Sequence, residues 1–176
     1  MSQQTQFKTL AEVLALYPDV EVNRDGGEDM YQEGAVIIER DPIAVVIKHP
    51  TENLYLLAKW KKAVWNGFLT GGIEDGDTLE QTVQKEVHEE TGYKHVTNIK
   101  PLNFATHALF YHVVKKVNRL AHYHLVSAQL ADLEKDEVSD EEKNIADFVW
   151  VPEAEVMDTI TRQGIKELWR YYVANR

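Results

Sequence analysis

The stretch that decides the fold is TGGIEDGDTLEQTVQKEVHEETGY, residues 70–93. A glycine pair, Gly71–Gly72, opens it, a second turn at Asp75–Gly76 follows, and Gly92 closes it. Between the glycines the spacing predicts a helix over 78–91, capped by Asp77 or Thr78, with Glu80 placed three residues after Asp77 as in a capping box. Gly92 stands where a helix wants a left-handed residue to finish its last turn. At about 100° per residue, Leu79, Val83 and Val87 form a narrow apolar stripe. Glu86 falls about 60° to one side of Val83, Glu89 about 120° to the same side, and Glu90 about 20° away, inside the stripe. A carboxylate facing a core is costly unless it is paired or bound to a cation. Three carboxylates on one edge repel one another, and hard oxygen ligands of this kind select Mg²⁺, Mn²⁺ or Ca²⁺ over zinc. A glutamate-rich helix is more often a solvated face, but the flanking glycines point instead to a cation and phosphate site.

Outward from this helix the chain alternates between strands and helices. GAVIIER (34–40), IAVVIKH (43–49) and NLYLLAKW (53–60) read as an antiparallel meander, turning at Asp41–Pro42 and at 49–53. Downstream, 95–106, 107–114 and 120–130 read as strands, with KKVNR (115–119) and its Arg119 at a hairpin tip. Residues 131–144 read as a long acidic loop, DFVWV (147–151) as a strand ended by Pro152, and the C-terminus as one short and one longer helix, the latter over 161–174. Residues 1–33 read as a leader with a helix over 7–17, its apolar side formed by Leu10, Val13, Leu14 and Tyr17 and its end set by Pro18. The main domain is then 34–176. Strands, helix, strands, helix is the order of an α/β/α sandwich with a mixed central sheet.

The 176 residues suffice for one domain with a sizeable core. Apolar residues at 44% and charged residues at 27% are ordinary for a globular chain. No apolar run approaches the roughly 18 residues of a membrane span, and the start carries no secretory pattern, so no membrane association and a cytoplasmic location are expected. The absence of cysteine removes disulfides, thiolate nucleophiles and cysteine-bound metals. A net charge of −10 opposes nonspecific nucleic-acid binding. Within this acidic chain the best basic patch is Lys59, Lys61 and Lys62 around Trp60, with Trp65 and Phe68 close behind; it could clamp phosphates and stack a base. A basic edge loop with its tryptophans in the core is the plainer reading. His107, His112, His122 and His124 sit on strands, where hydrogen-bonded or surface roles outweigh a zinc site.

Gly71, five residues, Asp77, seven residues, then Lys85-Glu86-Val87-His88-Glu89-Glu90-Thr91-Gly92-Tyr93 resembles the Nudix box. That pattern reads Gly, five residues, Glu, seven residues, Arg-Glu-aliphatic-x-Glu-Glu-x-Gly-aliphatic. Asp77 replaces the Glu, Lys85 the Arg and Tyr93 the last aliphatic residue. Lys85 can neutralise a carboxylate but cannot make the bidentate fork of arginine. The resemblance implies a Nudix-like sandwich and a Mg²⁺- or Mn²⁺-dependent pyrophosphohydrolase that cleaves a nucleoside diphosphate linked to another moiety X. It implies metal ligation by Glu86, Glu89 and Glu90, with Asp77, Lys85 and Gly92 shaping the motif. Catalysis is expected from Glu89, Glu90 and a carboxylate of the acidic loop, Glu142 or its neighbour Glu141 ahead of Glu137. Substrate contacts are expected from Gly71, Gly72, Lys59, Trp60 and Trp65. The partner is a small-molecule nucleoside diphosphate derivative, and a homodimer stays open. The alternative is a non-catalytic Nudix-like module that binds or senses a nucleotide. Isopentenyl diphosphate isomerase shares the fold, but that family relies on a cysteine and this chain has none.

Overall fold

The computed structural model describes residues 6–7, 9–61, 65–74 and 76–176; Lys62 and Asp75 lie outside the described residues. The elements run β1 (Gln6–Phe7), α1 (Leu10–Leu16), β2 (Glu21–Val22), β3 (Ile37–Arg40), β4 (Pro42–Lys48), β5 (Leu54–Trp60), β6 (Asn66–Gly67), β7 (Leu69–Gly72) and α2 (Leu79–Thr91). There follow β8 (Val96–His112), β9 (Val117–Leu130), α3 (Asp140–Lys143), β10 (Ala146–Pro152), α4 (Glu153–Thr159) and α5 (Gln163–Asn175). No helix among the described residues is long and apolar enough to cross a membrane.

β9 is the spine of a mixed sheet. One edge pairs antiparallel with β8 for most of its length. The other edge pairs parallel, first with β3 and then with β4. The sheet continues through β5 to β10, both junctions antiparallel. Helices cover both faces. Alternation along β4 sends Ile43, Val45 and Ile47 to one side, where they meet Val83 and Val87 of α2. Ala44 and Val46 go to the other, under Ile165, Leu168, Trp169 and Tyr172 of α5. The α/β/α sandwich with a mixed sheet is therefore present.

Several local readings differ. β3 and β4 do not form a hairpin. Ile37 pairs with Asn118 and Ile43 with His124, so the chain keeps one direction across Asp41–Pro42 along the same edge of β9. Pro42 interrupts the ladder without reversing it, because a strand tolerates proline at its first position. The turn at 49–53 does reverse the chain. His49 Nδ1 accepts from Thr51 N at 3.3 Å and from Glu52 N at 3.1 Å, and Ile47 pairs with Leu56. β8 is one strand with two irregularities rather than two strands. The hairpin tip is Val113–Lys116, with Lys116 at φ 53°, so Arg119 lies inside β9 opposite Phe110. Val113 and Val114 read as strand by propensity, yet Val114 is 86% exposed. The acidic loop contains the single turn of α3, capped by Ser139.

At the N-terminus, Val13 is fully buried and shares a cluster with Ile37, Leu109 and Leu120, while Leu14 is 40% exposed and not part of the apolar side. β1 pairs with β3 and β2 with β8, so the segment before residue 34 extends the same sheet.

Candidate active site

β7 brings the glycine pair to α2. Gly71 pairs with Ile43 of β4, and a Cβ at Gly71 would lie 2.7 Å from Glu86 Oε1. Only glycine lets the loop backbone approach this carboxylate so closely. Nothing lies within 4 Å of a Cβ at Gly72.

α2 begins at Thr78, not Asp77. Thr78 Oγ1 accepts from Gln81 N at 3.2 Å and Gln81 Oε1 accepts from Thr78 N at 2.9 Å, so the capping box is Thr78–Gln81 rather than Asp77–Glu80. Asp77 N donates to Glu74 O at 3.1 Å in the turn before it. Lys85 Nζ donates to Glu74 Oε2 at 2.6 Å, which ties the helix to the preceding loop and raises the Lys85 pKa. Glu74 was not among the residues the motif singled out; its place in the spacer hid it.

The helix ends at Gly92, whose φ of 79° is left-handed and whose N donates to His88 O at 2.8 Å. A Cβ there would run into the Asp136 carbonyl. Asp136 N donates to Gly92 O at 2.9 Å, and Asp136 pairs with His88 at 3.1 Å and Lys94 at 2.8 Å. These contacts fasten the 134–136 segment to the end of α2, so α3 follows close by. Lys61 fixes the other side of α3, donating to Lys143 O at 2.6 Å and pairing with Asp147 at 2.8 Å. Lys61 thus braces α3 and β10.

The result is four carboxylates in one electrostatic neighbourhood. Glu90 is pushed up to about 8, first by burial, then by Glu86, Glu142 and Glu89. Glu86 is raised by burial and Glu89, with partial relief from Lys85. Burial, Glu141 and Glu89 raise Glu142. Among the described residues, no cation forms an ion pair with Glu86, Glu89, Glu90 or Glu142. No three His, Asp or Glu side chains among them already stand close enough to cage an ion. The donor set still fits a hard divalent cation: all oxygen, partly buried, mutually repelling and, among the described residues, ion-paired to no cation. Glu137 and Glu141 are exposed, and Glu142 is the member of the acidic stretch that shares this environment.

The remaining candidates separate. Leu56 and Leu57 face opposite sides of the sheet, and continued alternation puts Trp60 on the α2 side and Lys59 on the α5 side. Lys59 is exposed and pairs in register with Asp147. Trp65 packs edge-on against Phe110 at 5.2 Å, under the Arg162 guanidinium 4.8 Å from its ring. Arg162 carried no sequence signal, since nothing local links it to Trp65.

His107 Nδ1 and His122 Nδ1 lie 2.7 Å apart, and His122 Nε2 lies 2.8 Å from Glu39 Oε1. Tyr17 of the leader donates to that same oxygen at 2.9 Å. His124 lies 3.0 Å from Asp41, and Lys115 N donates to His112 Nδ1 at 3.1 Å. All four histidines are in hydrogen-bonded structural roles.

A NUDIX domain model matches residues 34–172, and the chain belongs to this family. Solved structures share the fold. The Escherichia coli dihydroneopterin triphosphate pyrophosphohydrolase is 14% identical with a TM-score of 0.59, covering 77% of this chain and 96% of its own. The NUDIX domain of Shewanella oneidensis NrtR, solved with ADP ribose, is 16% identical with a TM-score of 0.56, covering 94% and 97%. A MutT structure from work on Aliivibrio salmonicida and Vibrio cholerae is 14% identical with a TM-score of 0.52, covering 78% and 99%. No protein of curated function matches the chain.

Proposed function

We propose that this chain is a Mg²⁺- or Mn²⁺-dependent Nudix pyrophosphohydrolase that opens the diphosphate bond of a nucleoside diphosphate linked to a further moiety X. The observation that supports it most is the unpaired carboxylate set, with Glu90 half-buried and pushed up to about 8 beside Glu86, Glu89 and Glu142. An arrangement that costs stability in the free protein calls for a ligand that relieves it. Glu86, Glu89 and Glu90 would hold the cation. Such a cation would supply charge neutralisation for a diphosphate and lower the pKa of water. Gly71 keeps the loop backbone against Glu86 and leaves room at Gly72 for a phosphate. Glu142, on α3 and raised by burial and then by Glu141 and Glu89, would take a proton from the attacking water. Glu74 and Lys85 hold the loop and helix in register.

A second reading is a module that binds a nucleotide-type ligand without cleaving it. It is favoured by the NrtR NUDIX domain, which was solved with ADP ribose and covers 94% of this chain. Incubation with a panel of nucleoside diphosphate derivatives and Mg²⁺ or Mn²⁺ separates the two. Nucleotide release from at least one of them is expected; ligand binding without release from any would replace the hydrolase with the module.

A further inference from the structure

Where arginines hold elements of this chain together they are paired: Arg162 with Asp25, Arg170 with Glu167 and Arg176 with Glu153. Arg119 and Arg40 are different. Arg119 is half-buried, Arg40 is exposed, and among the described residues neither forms an ion pair or a side-chain hydrogen bond. A half-buried guanidinium without a carboxylate is costly, and a chain of net charge −10 has acids to spare for it. Register places the two arginines together. Arg40 pairs with Ala121 across the parallel β3–β9 junction, and Arg119 pairs with Ile38. Residues two apart on a strand share a face, so both lie on the α5 side with Ala121 and Tyr123, their Cα atoms about 8 Å apart.

On the other edge of β9, Phe110 pairs with Arg119 and His112 with Val117, which carries the same face on to the hairpin tip. His112 feels the positive charge there. Burial first, then Arg119, with Lys115 and Arg40 behind it, lowers its pKa below the ordinary 6.5. Burial and then Arg40 likewise lower the pKa of Arg119. Guanidinium groups offer N–H pairs that fork onto phosphate oxygens. Two arginines in so acidic a chain are too few to hold a nucleic-acid backbone against the overall charge. They suit a single phosphoryl group on a small molecule. The place of the patch bears on which molecule. Pro42 pairs with Gly72, and Arg40 stands two residues before Pro42, about 7 Å of strand away. The patch thus begins where the glycine loop ends, and Glu86 lies against the same loop at Gly71.

We propose that Arg40 and Arg119 form a binding site for a phosphate monoester, so that the ligand of this protein carries a further phosphoryl group beside its diphosphate. That the diphosphate itself lies at the carboxylates rests on the function proposed above; the binding of phosphate by the two arginines does not.

The test uses the metal-free full chain, ¹⁵N-labelled, titrated at constant ionic strength with inorganic phosphate and, separately, with chloride. Phosphate at millimolar concentration should move the Arg119 Nε–H signal, assigned by its absence in Arg119→Gln, and chloride should not. Arg119→Gln and Arg40→Gln should each weaken phosphate binding about 10-fold, as expected for the loss of charge-assisted hydrogen bonds. A second titration compares NAD⁺ with NADP⁺, which share a diphosphate and differ by one 2′-phosphate. NADP⁺ should bind at least about 10-fold more tightly, and Arg119→Gln should remove the difference. The proposal is overturned if phosphate moves the Arg119 signal no more than chloride does, if both variants bind phosphate as the wild type does, or if NADP⁺ binds no more tightly than NAD⁺. Should Arg119→Gln not fold, Arg40→Gln, at an exposed position, decides in its place. Because no metal or hydrolysis enters, an inactive chain can pass this test and an active hydrolase can fail it.

Discussion

Two clusters of titratable side chains lie on this sheet and are built in opposite ways. In the first, His107, His122, Glu39 and Tyr17 form a closed chain of hydrogen bonds between β8, β9, β3 and the leader, each group facing a partner of opposite capacity. In the second, Glu86, Glu89, Glu90 and Glu142 raise one another's pKa values or share that field, with Lys85 relieving Glu86 in part and no ion pair to any of the four among the described residues. The same chain therefore pairs its ionisable groups fully where they hold elements together and leaves them unpaired beside the glycine loop. Unpaired, partly buried charge is what a binding site retains and a purely structural region does not.

The largest effect that sharpens this contrast is on turnover. Glu89→Gln keeps the shape and removes one charge, and kcat should fall about 10²-fold or more, as expected when several kcal/mol of charge stabilisation are lost. Next comes stability in metal. Millimolar Mg²⁺ or Mn²⁺ should raise the melting temperature, by the equivalent of about 2.7 kcal/mol where the ion is present at 100 times its Kd. His122→Gln, in the closed cluster, should leave that metal-dependent shift intact.

The closed cluster also answers to pH, with the opposite sign to the raised carboxylates. Burial, then the His122 charge, lowers the His107 pKa below its ordinary value of 6.5. The folded state thus favours neutral His107, and its contribution is complete above pH 6.5 and declines as the pH falls below it. A hydrogen bond between two ring nitrogens also needs one donor and one acceptor, so doubly protonated rings break it. The raised carboxylates Glu86, Glu90 and Glu142 act the other way and stabilise the fold on acidification, so the His107 contribution is read as a difference: from pH 7 to 5 the melting temperature of His107→Gln should rise more, or fall less, than that of the wild type. The smallest change expected is Lys85→Arg. A guanidinium can fork onto Glu74 where the ammonium makes one bond, so activity should stay level or rise slightly; a large fall in kcat would show that Lys85 does more than hold the loop.

Much of the open cluster was legible in the sequence because it is local. Glu86, Glu89, Glu90, Val83 and Val87 share one helix, and its period alone sets Glu86 and Glu89 beside the core side and Glu90 within it. Gly71 and Gly92 were legible as punctuation, although the reasons for them, the Glu86 carboxylate and the Asp136 carbonyl, come from elsewhere in the chain. What stayed hidden depends on register between distant strands. β3 and β4 look like a hairpin because each is a short apolar run ending near Asp41–Pro42, and only pairing with β9 shows that they run the same way. The His107–His122 contact depends on β8 facing β9 in one register. The Trp65–Arg162 stack joins residues 97 positions apart and needs the whole sheet and α5 in place before the two meet.

The most direct measurement is on Glu90→Gln, read twice in the same preparation. With Mg²⁺ or Mn²⁺ and a hydrolysed diphosphate substrate, kcat should fall about 10²-fold or more. Without metal, the melting temperature should rise above wild type, because a half-buried acid crowded by Glu86, Glu142 and Glu89 is replaced by a neutral amide of the same shape. Full activity together with an unchanged or lowered metal-free melting temperature would contradict the assignment of this carboxylate cluster as the active site.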